Sequence, residues 1–287
     1  MNRKRALILM SDFGLREGFV ASMKGVAYAV NTELKIYDLT HLIPPFDIWE
    51  GAYTLASAMK YWPAESVFVA VVDPGVGTER KSVVLKTQTG HFVVTPDNGT
   101  LTFVVEKYGV ASLREIDESR NRLPGSQDFH TFHGRDVYVY TGARLAAGVI
   151  SFEQVGPVLE PTVVQLPSQK PVRIRSNEIL GQIVKIEQPF GNISTNIPNS
   201  LFEELEVDRT INQAVTVEIL HEKQVVFCED LPCVLSFGYV AAGRPLLYAD
   251  SQQMMGLAIN GGNFAERYQI QSGADWLIKL TKIEKSK

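Results

Sequence analysis

Two short segments carry side chains that could act together on a water molecule. VVDPGVGTER at 71–80 supplies an acid, Asp73, and a cation, Arg80, around a Pro-Gly-x-Gly turn, and TFHGRDV at 131–137 supplies the imidazole of His133 beside Gly134. A carboxylate, a guanidinium and an imidazole in one cleft orient and deprotonate water, a task that packing does not require. Taken singly, each piece has a plainer reading. The decapeptide serves as a turn with Arg80 in solvent, and a lone histidine is more often packed or exposed than catalytic. No Gly-Lys-Ser/Thr follows the glycines, so this is not a phosphate loop.

Other segments suit a nucleoside. SDFG at 11–14 follows the apolar run ALILM, which puts Asp12 at the carboxyl end of a strand, where open α/β sheets bind ligands. Its carboxylate can accept both hydroxyls of a ribose diol, or it can cap the following helix. QPFGNISTNIPN at 188–199 pairs Phe190 with Asn192, whose amide offers the donor and acceptor that an adenine edge needs. A β-turn with left-handed asparagine is the alternative. In ADSQQMMGLAINGGN, Ser251 lies on a turn, Asn260-Gly261-Gly262 offers backbone amides, and Met254 and Met255 read as core. PDNGT at 96–100 reads as turn shape, and Arg135 with Asp136 as an internal ion pair.

The elements that must hold these groups follow from periodicity. Through about residue 150, apolar β-branched runs alternate with helical stretches, the pattern of a largely parallel sheet with crossover helices. Strands are predicted at 6–10, 35–39, 66–72, 82–86 and 92–95, and helices at 18–30, 47–61 and 135–149. VVQLPSQKPVRIRSNE at 163–178 breaks the pattern with two prolines and a burst of charge. The division is therefore an N-terminal α/β domain at 1–165, a linker at 166–177 and a C-terminal all-β, barrel-like domain at 178–287. In that domain strands are predicted at 179–186, 214–220, 224–227, 245–248 and 276–282.

Composition narrows the partners. The 287 residues suffice for two cores, and the net charge of −4 comes without a basic stripe, which disfavours nucleic acid and anionic lipid and favours a small molecule. Cys228 and Cys233 form a lone C-x4-C, too thin for a zinc site, and read as two reduced thiols. The apolar run in MNRKRALILM stops after five residues, short of a signal peptide, and no later segment spans a bilayer, so a cytoplasmic protein is expected.

SDFG…MKG (11–25), PPFDIWEGA (44–52), VVDPGVGTER, PDNG, TFHGRD, FGNISTNI (190–197) and S-x6-A-x-NGG (251–262), in this order, resemble the S-adenosylmethionine hydrolase family, the hydroxide adenosyltransferases related to fluorinase and chlorinase. The resemblance runs from residue 6 to about 266. It implies an α/β domain followed by a barrel-like domain, and a homotrimer with sites between one subunit's N-terminal domain and its neighbour's C-terminal domain. It also implies cleavage of S-adenosyl-L-methionine by water to adenosine and L-methionine, with no metal or other cofactor. Carried across, Asp73, Arg80 and His133 match the hydrolytic set and Asp12 the ribose-diol acid. Phe46 matches an aromatic wall, Asn192 the adenine-reading amide, Ser251 a methionine-end contact, and the Asn260–Gly261 backbone the adenine edge. Fluorinases carry tyrosine at the Asp73 position and threonine at the Val76 position, so water is the expected nucleophile. One departure stands before Phe190: Glu187-Gln188-Pro189 replaces the aspartate that meets the methionine ammonium, and Glu187 is one methylene longer.

Such a reaction has simple needs. The sulfonium is already a good leaving group, so the protein must supply a nucleophile in line with C5′–S at ~3–3.5 Å and a dry site in which the charges cancel. A chlorinase-type halogenase and a non-catalytic S-adenosylmethionine- or adenosine-binding module are the competing readings. The second has no use for Asp73, Arg80 and His133 together.

Overall fold

The computed structural model of the protein describes residues 5–284. The chain forms two compact units that meet in sequence at Leu166 and Pro167.

The first unit is a seven-stranded sheet in the order β2-β1-β3-β5-β4-β6-β7. Its strands are β1 (Leu7–Ser11), β2 (Ile36–Thr40), β3 (Val67–Val71), β4 (Ser82–Thr87), β5 (Phe92–Pro96), β6 (Val110–Glu115) and β7 (Val158–Leu159). β1, β3 and β5 are buried along their whole length, because helices cover both faces, as a parallel sheet requires. Alternation sorts their side chains. Leu7, Leu9, Val67 and Val69 pack with Met23 and Ala27 of α1 (Phe19–Val30) and with Ala143. Ile8, Met10, Phe68 and Ala70 face Leu55 and Met59 of α2 (Ile48–Met59) and Val104 of α3 (Thr102–Tyr108). Each large apolar side chain so buried contributes roughly 1.5–3 kcal/mol. Asp47 begins α2 by accepting a hydrogen bond from the Glu50 amide at 2.8 Å.

The predicted strands of this unit appear within a residue or two, and the sheet is parallel across β2, β1, β3 and β5. From β5 outward it turns antiparallel, since β4 and β5 are a tight hairpin rather than a crossover pair. A buried apolar run carries no mark of its direction. The segment read as helix 135–149 is π-helical over Gly134–Val139 and α-helical over Tyr140–Ala146. Gly142 lies against β3 so closely that a Cβ there would sit 2.5 Å from Val69 Cγ2. Gly→Ala in a helix interior ordinarily stabilises by about 1 kcal/mol, but here overpacking outweighs propensity. Gly142→Ala should lower Tm by about 2–8 °C in a thermal melt.

The second unit is an antiparallel sheet in the order β12-β11-β15-β9-β10-β14-β13, with β8 also paired to β9. The strands are β8 (Val172–Arg175), β9 (Glu178–Glu187), β10 (Asn192–Pro198), β11 (Ala214–His221), β12 (Gln224–Pro232), β13 (Pro245–Ala249), β14 (Met254–Ile259) and β15 (Trp276–Lys282). A bridge from Cys233, just past β12, to Leu247 of β13 brings the sheet's ends together, so it nearly closes into a barrel. Ile179, Ile183, Val217, Leu247, Met255 and Phe264 fill its interior. The two cysteines are unbridged.

Three strands here are absent from the sequence expectation. β8 lies within the 166–177 stretch read as linker, β10 begins at the Gly-Asn turn, and β14 holds the two methionines, with Met255 in the core and Met254 half-buried.

Candidate active site

Asp73 follows β3 and Arg80 precedes β4, so one loop brings both to the carboxyl end of β3. Arg80 Nε donates to Asp73 Oδ1 at 2.9 Å and Nη2 donates to Oδ2 at 2.6 Å, a bidentate pair that leaves 11% of the Arg80 side chain and 5% of the Asp73 side chain exposed. The same Nη2 lies 3.0 Å from His133 Nδ1. The three predicted catalytic side chains therefore meet, across 53 residues of sequence between Arg80 and His133.

A second line of contacts fixes Arg80. Nη1 donates to Ser82 Oγ at 3.2 Å, Ser82 bonds the Tyr138 hydroxyl at 3.2 Å, and the guanidinium lies 5.6 Å from the Tyr138 ring centroid. Burial works against the Arg80 charge, but the bond to Asp73 overrides it and raises the pKa, so the cation is permanent.

That permanence dictates the state of His133. A guanidinium has no lone pair to offer, so Nδ1 must accept from Arg80, and in a neutral imidazole the proton then sits on Nε2. Burial first, and then the charges of Arg80 and Arg122, hold the His133 pKa below its ordinary 6.5 despite the opposing pull of Glu118 and Asp73. Nε2 is buried without a hydrogen-bond partner among the described residues. It is a hydrogen-bond donor without an acceptor among these residues, the type of group that receives an anionic oxygen.

A lowered histidine pKa has a stability consequence. Below about 6.5 the unfolded chain takes up a proton that folded His133 still refuses, so unfolding is favoured increasingly as pH falls from 6.5 toward the folded-state value. Tm should decline over that window, and His133→Gln should decline less steeply when melted across the same pH series.

The ribose-type acid sits in a different posture from a helix cap. α1 begins after Gly18, with no side-chain cap, whereas Asp12 Oδ2 accepts from the Phe46 amide at 2.9 Å. Phe46 has φ +67° and is 69% exposed. Phe13, next to Asp12, stacks edge-on against Phe132 at 5.5 Å, and its ring comes within 3.1 Å of where a Cβ on Gly134 would stand. Any side chain at 134 would push the Asp12 turn away from His133. Arg135 and Asp136 form the expected ion pair. Asn98 shapes its turn by donating to Val72 O at 2.8 Å and accepting from the Thr100 hydroxyl at 2.8 Å.

In the second unit, Glu187, Phe190, Asn192, Ser251, Asn260 and Gly261 all line one cavity of about 660 Å³. Glu187 and Asn192 face each other across β9 and β10, and the Asn192 amide nitrogen donates to Glu187 Oε2 at 3.3 Å while Ser194 Oγ donates to Oε1 at 2.9 Å. One of the two Asn192 amide N–H donors is thus engaged by Glu187. Gly191, at φ +69°, is pressed so tightly against the Asn263 amide that no Cβ would fit. The Asn260 turn differs from the expectation of free amides. Asn260 N–H donates to Arg244 O, its carbonyl accepts from Gly243 N–H, and Gly262 N–H donates to Ile259 O. Gly261 is the amide that these bonds do not use.

Sequence reasoning missed Phe237, Tyr248 and Asp250, which also line the cavity. Phe237 and Tyr248 are tilted rings with centroids 4.9 Å apart, and burial, with the negative charges of Glu187 and Asp250, raises the Tyr248 pKa so that its hydroxyl stays a donor. Tyr248 is one of several apolar residues of β13, and nothing in its spacing sets it apart. Asp250, adjacent to Ser251, was the readable one.

Comparison with known proteins identifies the family. Residues 7–156 match the SAM hydroxide adenosyltransferase N-terminal domain and residues 181–277 the corresponding C-terminal domain. A Methanocaldococcus jannaschii protein named (R)-S-adenosyl-L-methionine hydrolase is 38% identical over 76% of this chain and 75% of its own. A Salinispora tropica protein of the same name is 35% identical over 92% and 93%, and a fluorinase from Actinoplanes is 27% identical over 95% and 96%. The crystal structure of an uncharacterized conserved protein from Thermotoga maritima superposes with a TM-score of 0.87 at 34% identity, covering 96% of this chain and all of that one. With both domains matched in order, the chain belongs to the SAM hydroxide adenosyltransferase family.

Proposed function

We propose that this protein hydrolyses S-adenosyl-L-methionine to adenosine and L-methionine, by in-line attack of an activated water at the ribose C5′ and without a metal. The observation that carries the reading is the buried Nε2–H of His133, held protonated by Arg80 and lacking an acceptor among the described residues. In the proposed reaction His133 donates to the attacking oxygen and Arg80 supplies fixed positive charge. Asp73, the anion of the set, orients the water and takes its proton as the C5′–O bond forms and the C5′–S pair leaves on sulfur. Both Asp73 oxygens already accept from Arg80, so proton transfer comes late rather than before attack.

Asp12 and Phe46 are assigned to the ribose and an aromatic wall, Phe190, Asn192, Asn260 and Gly261 to adenine, and Glu187 and Ser251 to the methionine end. The related hydrolases are named for the R sulfonium, and we take that epimer as the preferred substrate. A homotrimer that combines Asp73, Arg80 and His133 of one subunit with the cavity of its neighbour belongs to the proposal. The exposed Leu15, Phe19 and Phe46 side chains support it as surface awaiting cover. Among the described residues no helix is long and apolar enough to cross a membrane, in keeping with the cytoplasmic site we propose.

Purified protein should be incubated with each sulfur epimer in chloride buffer and the products chromatographed. Adenosine with methionine is expected. A chlorinated nucleoside would replace this reading by the halogenase, and intact substrate retained on the protein would replace it by the binding module. Equilibrium sedimentation at the mass of one chain would remove the trimer.

A further inference from the structure

A chain of hydrogen bonds runs behind the Asp12 turn. Lys24 Nζ, on α1, donates to Asp38 Oδ2 at 2.6 Å, and His41 Nε2 lies 3.1 Å from Asp38 Oδ1. His41 Nδ1 lies 2.7 Å from Ser11 Oγ, which in turn accepts from the Phe13 amide at 3.3 Å. The His41 carbonyl accepts from the Gly14 amide at 2.8 Å. Ser11 and His41 are 0% and 2% exposed, while Asp38 and Lys24 reach the surface.

The direction of each bond can be assigned. Burial holds His41 below the ordinary imidazole value against the pull of Asp38, so the ring is neutral. Asp38 is an acceptor, since the bonds from Lys24 and His41 outweigh the desolvation that would raise its pKa. His41 therefore donates from Nε2, accepts at Nδ1, and receives the Ser11 hydroxyl proton. Ser11 is left with an oxygen that accepts from Phe13. Every member has a defined role, and the order is fixed from the Lys24 charge inward to the backbone on either side of Asp12.

A Ser-His-Asp series is the arrangement of acyl-transfer hydrolases, but a nucleophile must be reachable. Ser11 is fully enclosed and its oxygen is engaged on both sides, so no acyl group can approach it. What the series does touch is the turn. Phe13 N–H and Gly14 N–H, the two amides after Asp12, are both held by it, and among the described residues the Asp12 carboxylate is held by the Phe46 amide alone.

We propose that Ser11, His41, Asp38 and Lys24 form a relay whose work is to aim the Asp12 carboxylate, which makes His41 and Ser11 positioning residues for the nucleoside although neither touches it. This rests on the assignment of Asp12 to the ribose hydroxyls. An unheld turn would let Asp12 point elsewhere at the cost of affinity, while water attack, set by Asp73, Arg80 and His133, would proceed once substrate is bound.

The test is a double-mutant cycle on adenosine affinity, measured by titration calorimetry with the full-length protein, together with steady-state constants for S-adenosylmethionine. His41→Leu and Ser11→Ala are each expected to weaken adenosine about tenfold and raise KM similarly, with kcat within about twofold. His41→Asn, which keeps an acceptor near the Nδ1 position for Ser11, should recover most of the loss. Asp12→Asn should also weaken adenosine, and adding His41→Leu to it should cost less than about twofold more, because the relay acts through Asp12. Penalties that multiply, or a kcat that falls with affinity kept, would overturn the proposal. Ser11→Ala removes one oxygen only, and so decides the matter if His41→Leu fails to fold. Adenosine binds without turnover, so a protein that bound it yet released none from S-adenosylmethionine would refute the hydrolase reading while the cycle still judged the relay.

Discussion

Arg80→Ala is expected to lower the rate of adenosine formation by about 10³-fold, a larger loss than that of any other single side chain in the site. One guanidinium makes two bonds to Asp73 and one to His133, so its removal releases the base and frees the tautomer of the donor together. Losing one preorganised donor alone typically costs about 10²–10³. Stability falls as well. Asp73 would be left as an unpaired carboxylate with a side chain only 5% exposed, and breaking a buried pair in this way costs about 3–5 kcal/mol, or roughly 6–20 °C in Tm for a unit of this size. Single-turnover rates measured well below the lowered Tm separate the two effects. Arg80→Lys should not rescue, since one ammonium cannot reproduce the planar fork that spans both Asp73 oxygens and Nδ1. A variant rate within tenfold of wild type would rule out Arg80 as the hub of the site.

His133→Ala should reduce kcat by about 10²–10³-fold with little change in KM, as expected for a group that meets the reacting oxygen and not the bound substrate. Tm at neutral pH should barely change, because a buried donor without a partner is itself unfavourable by about 1–3 kcal/mol, which offsets the packing lost with the ring. The acid side of the rate profile is the sharper check. The His133 pKa is lowered by burial and by Arg80, so kcat of the wild type should stay flat as pH falls through 6.5 and decline only further down. An inflection at 6.5 would mean that the imidazole acts as an ordinary exposed base, and the donor role would be lost with it.

Much of this was legible in the residues, for physical reasons that differ from place to place. β1 and β3 announce themselves because both faces are covered, so nearly every residue is apolar. That Asp73 and Arg80 share one loop was readable from a seven-residue interval around a glycine turn, whereas their pairing and the arrival of His133 beside them were not. Nothing local in TFHGRDV says which loop it meets, and the family resemblance supplied that link.

The misreadings have causes too. β10 contains Asn192, Ser194, Asn196 and Pro198, residues that favour turns, yet it is held between β9 and β14 by ladders on both sides, and tertiary pairing overrides propensity. β8 looked like a linker because its Val-Arg-Ile-Arg alternation is only four residues long, lies in a proline- and charge-rich stretch, and leaves even Val172 and Ile174 exposed. Tyr248 and Phe237 were missed because a ring that lines a cavity and a ring that fills a core are the same residue until the surrounding backbone is known.

The π-helical segment at Gly134–Val139 amounts to an α-helix carrying one surplus residue, a device found mostly at functional sites. Each residue of an α-helix advances the chain by about 100°, so that surplus sets the angular phase between His133 and the Tyr140–Ala146 rod anchored on β3. Removing a single residue there would regularise the coil and relieve the irregular bonding, yet it would swing the imidazole roughly a quarter-turn from Arg80. The best-behaved helix at this point would be a disarmed one.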